Sequence, residues 1–256
     1  MKGSTVIGVF GGSGFYEFID GAAPSPVATP FGAPAAVPTV GTVAGHDVAF
    51  IPRHGERHQF PPHLVPFRAN VWAMRLLGVD RIVAPTAAGS LHPEWEPGHF
   101  AVPVQIVDRT WGRESTFVEG PDVRHLSFAD PYDPTMRRLA VDGMRSTGAT
   151  VHDGGTVVVI QGPRFSTRAE SSSYAAAGWE LINMTQMPEA ALAAEAGICF
   201  VNISVITDYD VGVDGGAAVT HDEVLRRFAE SLTTLKAGIA AMVPGLAAAT
   251  LECPEP

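Results

Sequence analysis

A chain of 256 residues in which 46% of side chains are hydrophobic and 17% charged has the balance of a folded protein, since disorder needs the opposite one. Its formal charge of −10, with 17 Lys and Arg in all, excludes a general nucleic-acid surface, which needs clustered cations to displace counterions from phosphates. The 2 cysteines, Cys199 and Cys253, lack CxxC spacing, which excludes a zinc framework and a thioredoxin-type motif.

The first apolar run, residues 6–10, predicts a strand; it is too short for a secretory signal, so the cytoplasm is the expected location. Gly11-Gly12-Ser13-Gly14 follows it as a turn. Pro24, Pro26, Pro30, Pro34 and Pro38 then predict an irregular segment rather than a domain boundary. Residues 48–51 form a second strand that runs into Arg53-His54-Gly55-Glu56-Arg57-His58. Val71, Trp72, Met74, Leu76 and Leu77 have helical spacing, with Gly78 suited to the C′ position. Further strands are expected at 81–84, 100–107, 157–160 and 200–206. The third of all these strands should end at Pro85-Thr86. Pro188 opens a helix that Gly197 ends, with Cys199 reading as a core residue just beyond. Thr220-His221-Asp222-Glu223 resembles a capping box, and Val224, Leu225, Phe228, Leu232, Leu235, Ile239 and Met242 make a broad apolar stripe behind it. No run approaches the roughly 18–20 apolar residues of a membrane span. Strands alternating with helices indicate one α/β domain over residues 1–256, its sheet central and its tail loose from about 246.

In such folds chemistry gathers where strands end. Glycines at 11–14 let the backbone approach an anion, with Ser13 as a hydroxyl donor, although many Gly-rich turns are structural. Arg53 to His58 is the densest cationic cluster in an acidic chain, and an Arg fork suits phosphate oxygens. Ion pairs in a solvated turn are the plain alternative. A metal reading through His54 and His58 is poorer, because no third ligand is placed by spacing. The exits 86–91, 161–170, 183–189 and 207–210 add hydroxyls, a Phe able to stack on a base, and the carboxylates Asp208 and Asp210.

Gly11–Gly14, Arg53-His54-Gly55, Thr86–Leu91, Gly162–Glu170, Asn183-Met184-Thr185 with Pro188-Glu189, and Thr207–Asp210 occur in the order found in the trimeric purine nucleoside phosphorylases. The chain resembles that family over roughly residues 6–235, and its methylthioadenosine branch most. The resemblance implies a single α/β domain around a mixed, partly barrel-like sheet, a homotrimer, and no metal or organic cofactor, inorganic phosphate being a co-substrate. It implies phosphate contacts from Ser13, Arg53, His54, Thr86, Ala87 and Thr185, with Met184 under the ribose. Phe165, Ser166 and Asn183 would line the purine. His125 would reach the 5′ end of the nucleoside from a neighbouring subunit.

Asp208 carries the expected catalytic role. As an acid it can protonate N7 of the leaving purine, and with Asp210 it can accept from the 6-amino group of adenine. A 6-oxopurine would set oxygen against these acceptors, and phosphorylases of 6-oxopurines resemble one another in having Asn at the first position. Two aspartates capping turn amides are the plain alternative. His221 departs from the branch, whose members resemble one another in a small apolar residue there, packed on the methylthio group. General purine nucleoside phosphorylases have a His able to bond a 5′-hydroxyl; a first-turn residue facing solvent is the plain alternative for His221. Methylthioadenosine is the expected substrate, with adenosine and 5′-deoxyadenosine as further candidates. The rivals are a 6-oxopurine nucleoside or methylthioinosine phosphorylase, a hydrolase of the same nucleosides, and a non-catalytic nucleoside-binding protein.

Overall fold

The computed structural model describes residues 5–121, 123–211, 213 and 219–254. In chain order its elements are β1 (Val6–Gly11), β2 (Ala23–Pro24), β3 (Thr39–Val43), β4 (His46–Pro52), a 3-10 turn (Pro62–Leu64), α1 (Phe67–Leu76), β5 (Val79–Ser90), β6 (Phe100–Val102) and β7 (Gln105–Arg109). There follow α2 (Pro134–Arg145), β8 (Val151–Asp153), β9 (Thr156–Ile160), α3 (Arg168–Ala176), β10 (Leu181–Asn183), α4 (Gln186–Glu195), β11 (Cys199–Tyr209) and α5 (His221–Ala248).

The strands form one mixed sheet, and β5 is where it forks. β1 lies between β4 and β5, parallel to both, and leaves β5 after Val83. β10 joins β5 only at Gly89, antiparallel, and continues through β9 to β7. Between Val83 and Gly89 one edge of β5 therefore has no strand on it, while β11 stays paired along the other edge. β11 carries the second branch through β6 to β8. The notch on β5 is a topological switch point, the place where open α/β sheets leave room for a ligand.

Helices cover both faces. Met136, Met144, Phe228, Leu235 and Met242 bring α2 and α5 onto one side of the strands. Val71, Met74, Leu192 and Ala193 bring α1 and α4 onto the other. Each of the Val, Leu, Phe and Met side chains among these contributes about 1.5–3 kcal/mol when fully buried. α2 and α5 approach closely because glycines meet at their crossing: a Cβ on Gly143 would stand 2.8 Å from the carbonyl oxygen of Gly238.

Several expectations change. The strand expected at 81–84 runs on to Ser90, so Thr86 and its neighbours lie inside a strand and not at its exit. Pro85 is tolerated there because that stretch of β5 has a free edge. The run 100–107 divides into β6 and β7, which join different partners on either side of Pro103. α2 and α3 were unforeseen. Both have local start signals: Asp133 caps α2 by accepting from the Met136 amide, and Thr167 with Glu170 forms a capping box on α3.

The tail is also corrected. α5 continues to Ala248 with Leu246 fully buried, and Cys253 is disulfide-bonded to Cys199 at the start of β11. The described residues from 247 to Cys253 are thus anchored, and Cys199 is a cross-link as well as a core residue. By length and composition α5 would qualify as a membrane span, contrary to expectation. Its apolar stripe packs on α2 and the sheet, and its outer surface carries Arg226, Arg227 and Glu230 in ion pairs with Glu223 or each other.

Candidate active site

A cavity of about 350 Å³ opens on the notch of β5. Strand ends surround it: the turn after β1, the residue after β4, the exits of β9 and β10, and the end of β11.

One end carries the cation and hydroxyls of the cavity. Arg53 follows β4 and is fully buried beside the equally buried Glu189 of α4. Its Nε donates to Glu189 Oε2 at 2.6 Å, one Nη to Oε1 at 2.7 Å and the other to the Pro85 carbonyl at 3.1 Å. A guanidinium has five N–H donors, so some remain for a ligand. Burial raises the pKa of Glu189 and the Arg53 charge opposes that rise. The pair fixes the orientation of the Arg53 fork at the cavity wall.

Thr86 faces the same space. Its hydroxyl oxygen accepts from Asn202 Nδ2 at 3.0 Å and from Asn183 Nδ2 at 3.4 Å, so its own proton is free to donate to a ligand. Ser13, Ala87 and Thr185 complete this end, with Thr185 at the N-cap of α4 and its hydroxyl not used in capping. α4 kinks at Met187, which places its regular turns after that residue.

His54 differs from expectation in how it can act. Burial first, then the Arg53 charge, lowers its pKa to about 3. The neutral ring donates from Nδ1 to the Phe60 carbonyl at 2.8 Å, leaving Nε2 as an acceptor. It therefore suits a protonated phosphate oxygen and not a bare one.

The other end carries an aromatic ring and two carboxylates. Phe165 and Ser166 come from the exit of β9, Asn183 from β10, and Asp208 and Asp210 from the end of β11. A register shift between Ile206 and Asp208 in the β5–β11 ladder re-aims the strand as it reaches the cavity. Gly89 makes room opposite: a Cβ there would stand 3.0 Å from Asp208 Oδ1. Asp208 accepts from the Thr207 hydroxyl at 2.7 Å. Burial pushes its pKa up to about 6, the Thr207 bond opposes this, and Asp210 and Glu223 add to it. Asp210 is buried and accepts from Ser171 on α3. Burial raises its pKa and the Ser171 bond holds it down. Asn183 Oδ1 is buried without a partner among the described residues, whereas Ser166 lies close enough to Asp210 to help hold its pKa down. Orphaned polar atoms in a cavity wall are what a polar ligand satisfies.

A third region holds His58, Pro61, Pro62, His221 and Val224, with Met184 beside it. His58 has φ 54, an uncommon conformation for a residue other than Gly. Its ring stacks on His54 with centroids 4.5 Å apart, tilts against His221 at 5.6 Å, and shares a hydrogen bond of 3.1 Å with the Tyr16 hydroxyl. Burial and the nearby His221 lower its pKa.

The structure thus gathers every expected site residue in one cavity except His125. That residue is exposed in the loop before α2 and lies outside the cavity wall. Sequence reasoning missed His58 as a wall of the third region and Glu189 as the partner of Arg53. His58 stood in a cluster already noted for its charge. Glu189 stood in a motif, but nothing local connects residues 136 apart in the chain. Among the described residues, no group of 3 or more His, Cys, Asp or Glu is arranged to hold a metal ion.

Comparison with known proteins agrees with this layout. The Phosphorylase superfamily model matches residues 6–244. An S-methyl-5′-thioadenosine phosphorylase of Mycolicibacterium smegmatis is 51% identical over 90% of this chain and 87% of its own length. A purine nucleoside phosphorylase of Streptomyces coelicolor is 46% identical over 97% of this chain and 92% of its own. Among solved structures, methylthioadenosine phosphorylase from Schistosoma mansoni in complex with adenine superposes with a TM-score of 0.92 at 35% identity, covering 96% of this chain and 93% of that one.

Proposed function

This chain belongs to the phosphorylase superfamily, and on that premise we propose that it cleaves 5′-methylthioadenosine with inorganic phosphate, releasing adenine and 5-methylthioribose 1-phosphate. The observation that carries this is the meeting, in one cavity, of a buried Arg fork and an acidic pair with a raised carboxylate pKa.

Phosphate rests on Arg53, Ser13, Thr86, Ala87 and Thr185, with His54 accepting from its P–OH. Met184 supports the ribose. The C1′–N9 bond lengthens, the ribosyl ring takes on oxocarbenium character, and a phosphate oxygen bonds C1′ from the opposite face. Asp208 delivers a proton to N7 as the base gathers charge. Overall a proton passes from phosphate to adenine, so the acid is restored by the end of the cycle. Holding both reactants in register supplies much of the barrier reduction, up to about 7–11 kcal/mol in favourable intramolecular cases. Asp208 and Asp210 accept from the 6-amino group and disfavour a 6-oxopurine. No metal or organic cofactor enters this scheme.

The imidazoles of His58 and His221 support a second substrate. They offer hydrogen bonds to a 5′-hydroxyl, so adenosine should be turned over as well. His125 is assigned to a neighbouring subunit of a homotrimer, where it would cover the 5′ end. The cell compartment proposed is the cytoplasm, and the role is purine and methionine salvage. The Cys199–Cys253 bond would then have to persist in a reducing medium, which thiol-blocking mass spectrometry on quenched cells would read.

The test is a phosphate-dependent panel of methylthioadenosine, adenosine, 5′-deoxyadenosine, methylthioinosine and inosine. Adenine nucleosides should exceed their inosine counterparts, and turnover should stop without phosphate. Equal activity on methylthioinosine would favour the 6-oxopurine reading, and undiminished release of adenine without phosphate would favour a hydrolase. Ligand binding without any turnover would favour a binding protein.

A further inference from the structure

Arg113 lies in the irregular segment after β7, outside the cavity wall, and the mechanism above does not use it. Its side chain reaches between two loops that both carry site residues. One Nη donates to the Met184 carbonyl at 2.9 Å and the Met187 carbonyl at 2.5 Å. The other donates to the Gln161 carbonyl at 2.7 Å and the Ile160 carbonyl at 3.4 Å. Nε donates to Gln161 Oε1 at 3.2 Å, and the Phe67 ring lies 5.5 Å from the guanidinium carbon.

The placement matters because the ladder has just ended. β9 and β10 pair as far as Val159 and Asn183 and then diverge. Pro163, Phe165 and Ser166 of the first segment go on to line the base side of the cavity, and Met184 and Thr185 of the second line its ribose and phosphate side. Arg113 bonds to both immediately past the last paired residues, so it takes over where the strands stop. Its partners are carbonyl oxygens and an amide oxygen, not a carboxylate. Burial lowers its pKa to about 10, and Asp108 opposes that shift, so it stays charged at neutral pH. Only a planar fork can address so many carbonyls at once; a Lys ammonium is a point charge with fewer donors.

We propose that Arg113 is a positioning residue for phosphorolysis, clamping the base-bearing loop to the ribose- and phosphate-bearing turn so that nucleoside and phosphate meet in line. The inference rests on the phosphorolysis reading. Misplacement by about 1 Å can cost about 10²-fold in rate, which sets the effect to look for.

The experiment compares the native enzyme with Arg113→Lys and Arg113→Ala, reading kcat, KM for methylthioadenosine and for phosphate, and thermal midpoint. Arg113→Lys should fold and lose about 10²-fold in kcat/KM, with KM raised for both substrates. Guanidinium ion added at low concentration should restore part of the activity of Arg113→Ala. Should Arg113→Ala fail to fold, Arg113→Lys carries the test alone. A purely structural role would lower the midpoint while leaving the kinetic constants of the folded fraction within twofold of native, and that result overturns the clamp. A native enzyme without phosphate-dependent turnover would instead overturn the phosphorolysis reading itself.

Discussion

At Asp208, burial and the carboxylates of Asp210 and Glu223 favour the protonated acid, and the Thr207 hydroxyl opposes them, leaving a pKa of about 6. If that proton goes to N7, kcat/KM should decline on the alkaline side, by about tenfold per pH unit where the acid form alone is competent. Asp208→Asn should remove this dependence, reduce phosphorolysis of methylthioadenosine by about 10²–10⁴-fold, and erode the preference over methylthioinosine. The same shift has a stability consequence. The folded state binds the Asp208 proton more tightly than the unfolded chain does, so its contribution falls as pH rises from the ordinary value of 3.8 to about 6, and stays lost above. Asp208→Asn is therefore expected to be more stable at pH 7.5 by on the order of 1–3 kcal/mol, measurable by urea titration, with the gain shrinking near pH 5. Glu189 predicts the opposite. Glu189→Ala leaves the Arg53 charge buried and uncompensated, and should cost about 3–5 kcal/mol and raise KM for phosphate in whatever folds.

Elements matter here through where they stop. α3 begins at the Thr167 capping box, directly after Phe165 and Ser166, and its first turn carries Ser171 to Asp210. The cap thus holds a wall of the base region, and Thr167→Ala should lower stability by about 1 kcal/mol. Thr167 and Glu170 at capping-box spacing made this helix start readable from local residues, although its weak apolar periodicity hid it. β5 was misread for a different reason. Pro85 and the small residues after it look like an exit, and only their pairing with β11 keeps them in a strand. α5 was read well, because its apolar stripe and Thr220 cap are local signals. Its attachment was not: the disulfide joins residues 54 apart. Cys253→Ser should lower stability by about 2–4 kcal/mol and leave kcat/KM near native, since neither cysteine lines the cavity.

For the whole molecule, the proposed homotrimer would complete the 5′ end of the site across an interface. Within one chain, the third region is walled by His58, His221 and two prolines, and exposed His125 stands elsewhere. A homotrimer that lends His125 makes two predictions. Sedimentation should show a trimer wherever the enzyme is active. Co-refolding His125→Ala with Asp208→Ala chains should recover part of the activity that each variant lacks alone, because mixed trimers contain sites with both native residues. An active monomer, or no recovery in a mixture that assembles, would show that the site is not shared.

The sequence by itself determined the α/β class and most strand and helix cores, since these depend on local periodicity, while its family resemblance named the residues expected at the site. Tertiary structure alone decided that one edge of β5 is bare between Val83 and Gly89, that Glu189 orients Arg53, that two asparagines donate to the Thr86 hydroxyl, and that Arg113 joins two loops. The physical reason is range. Periodicity and caps act over a few residues, whereas a bare strand edge, a buried ion pair or a carbonyl clamp exists only once segments distant in the chain pack together and desolvate one another.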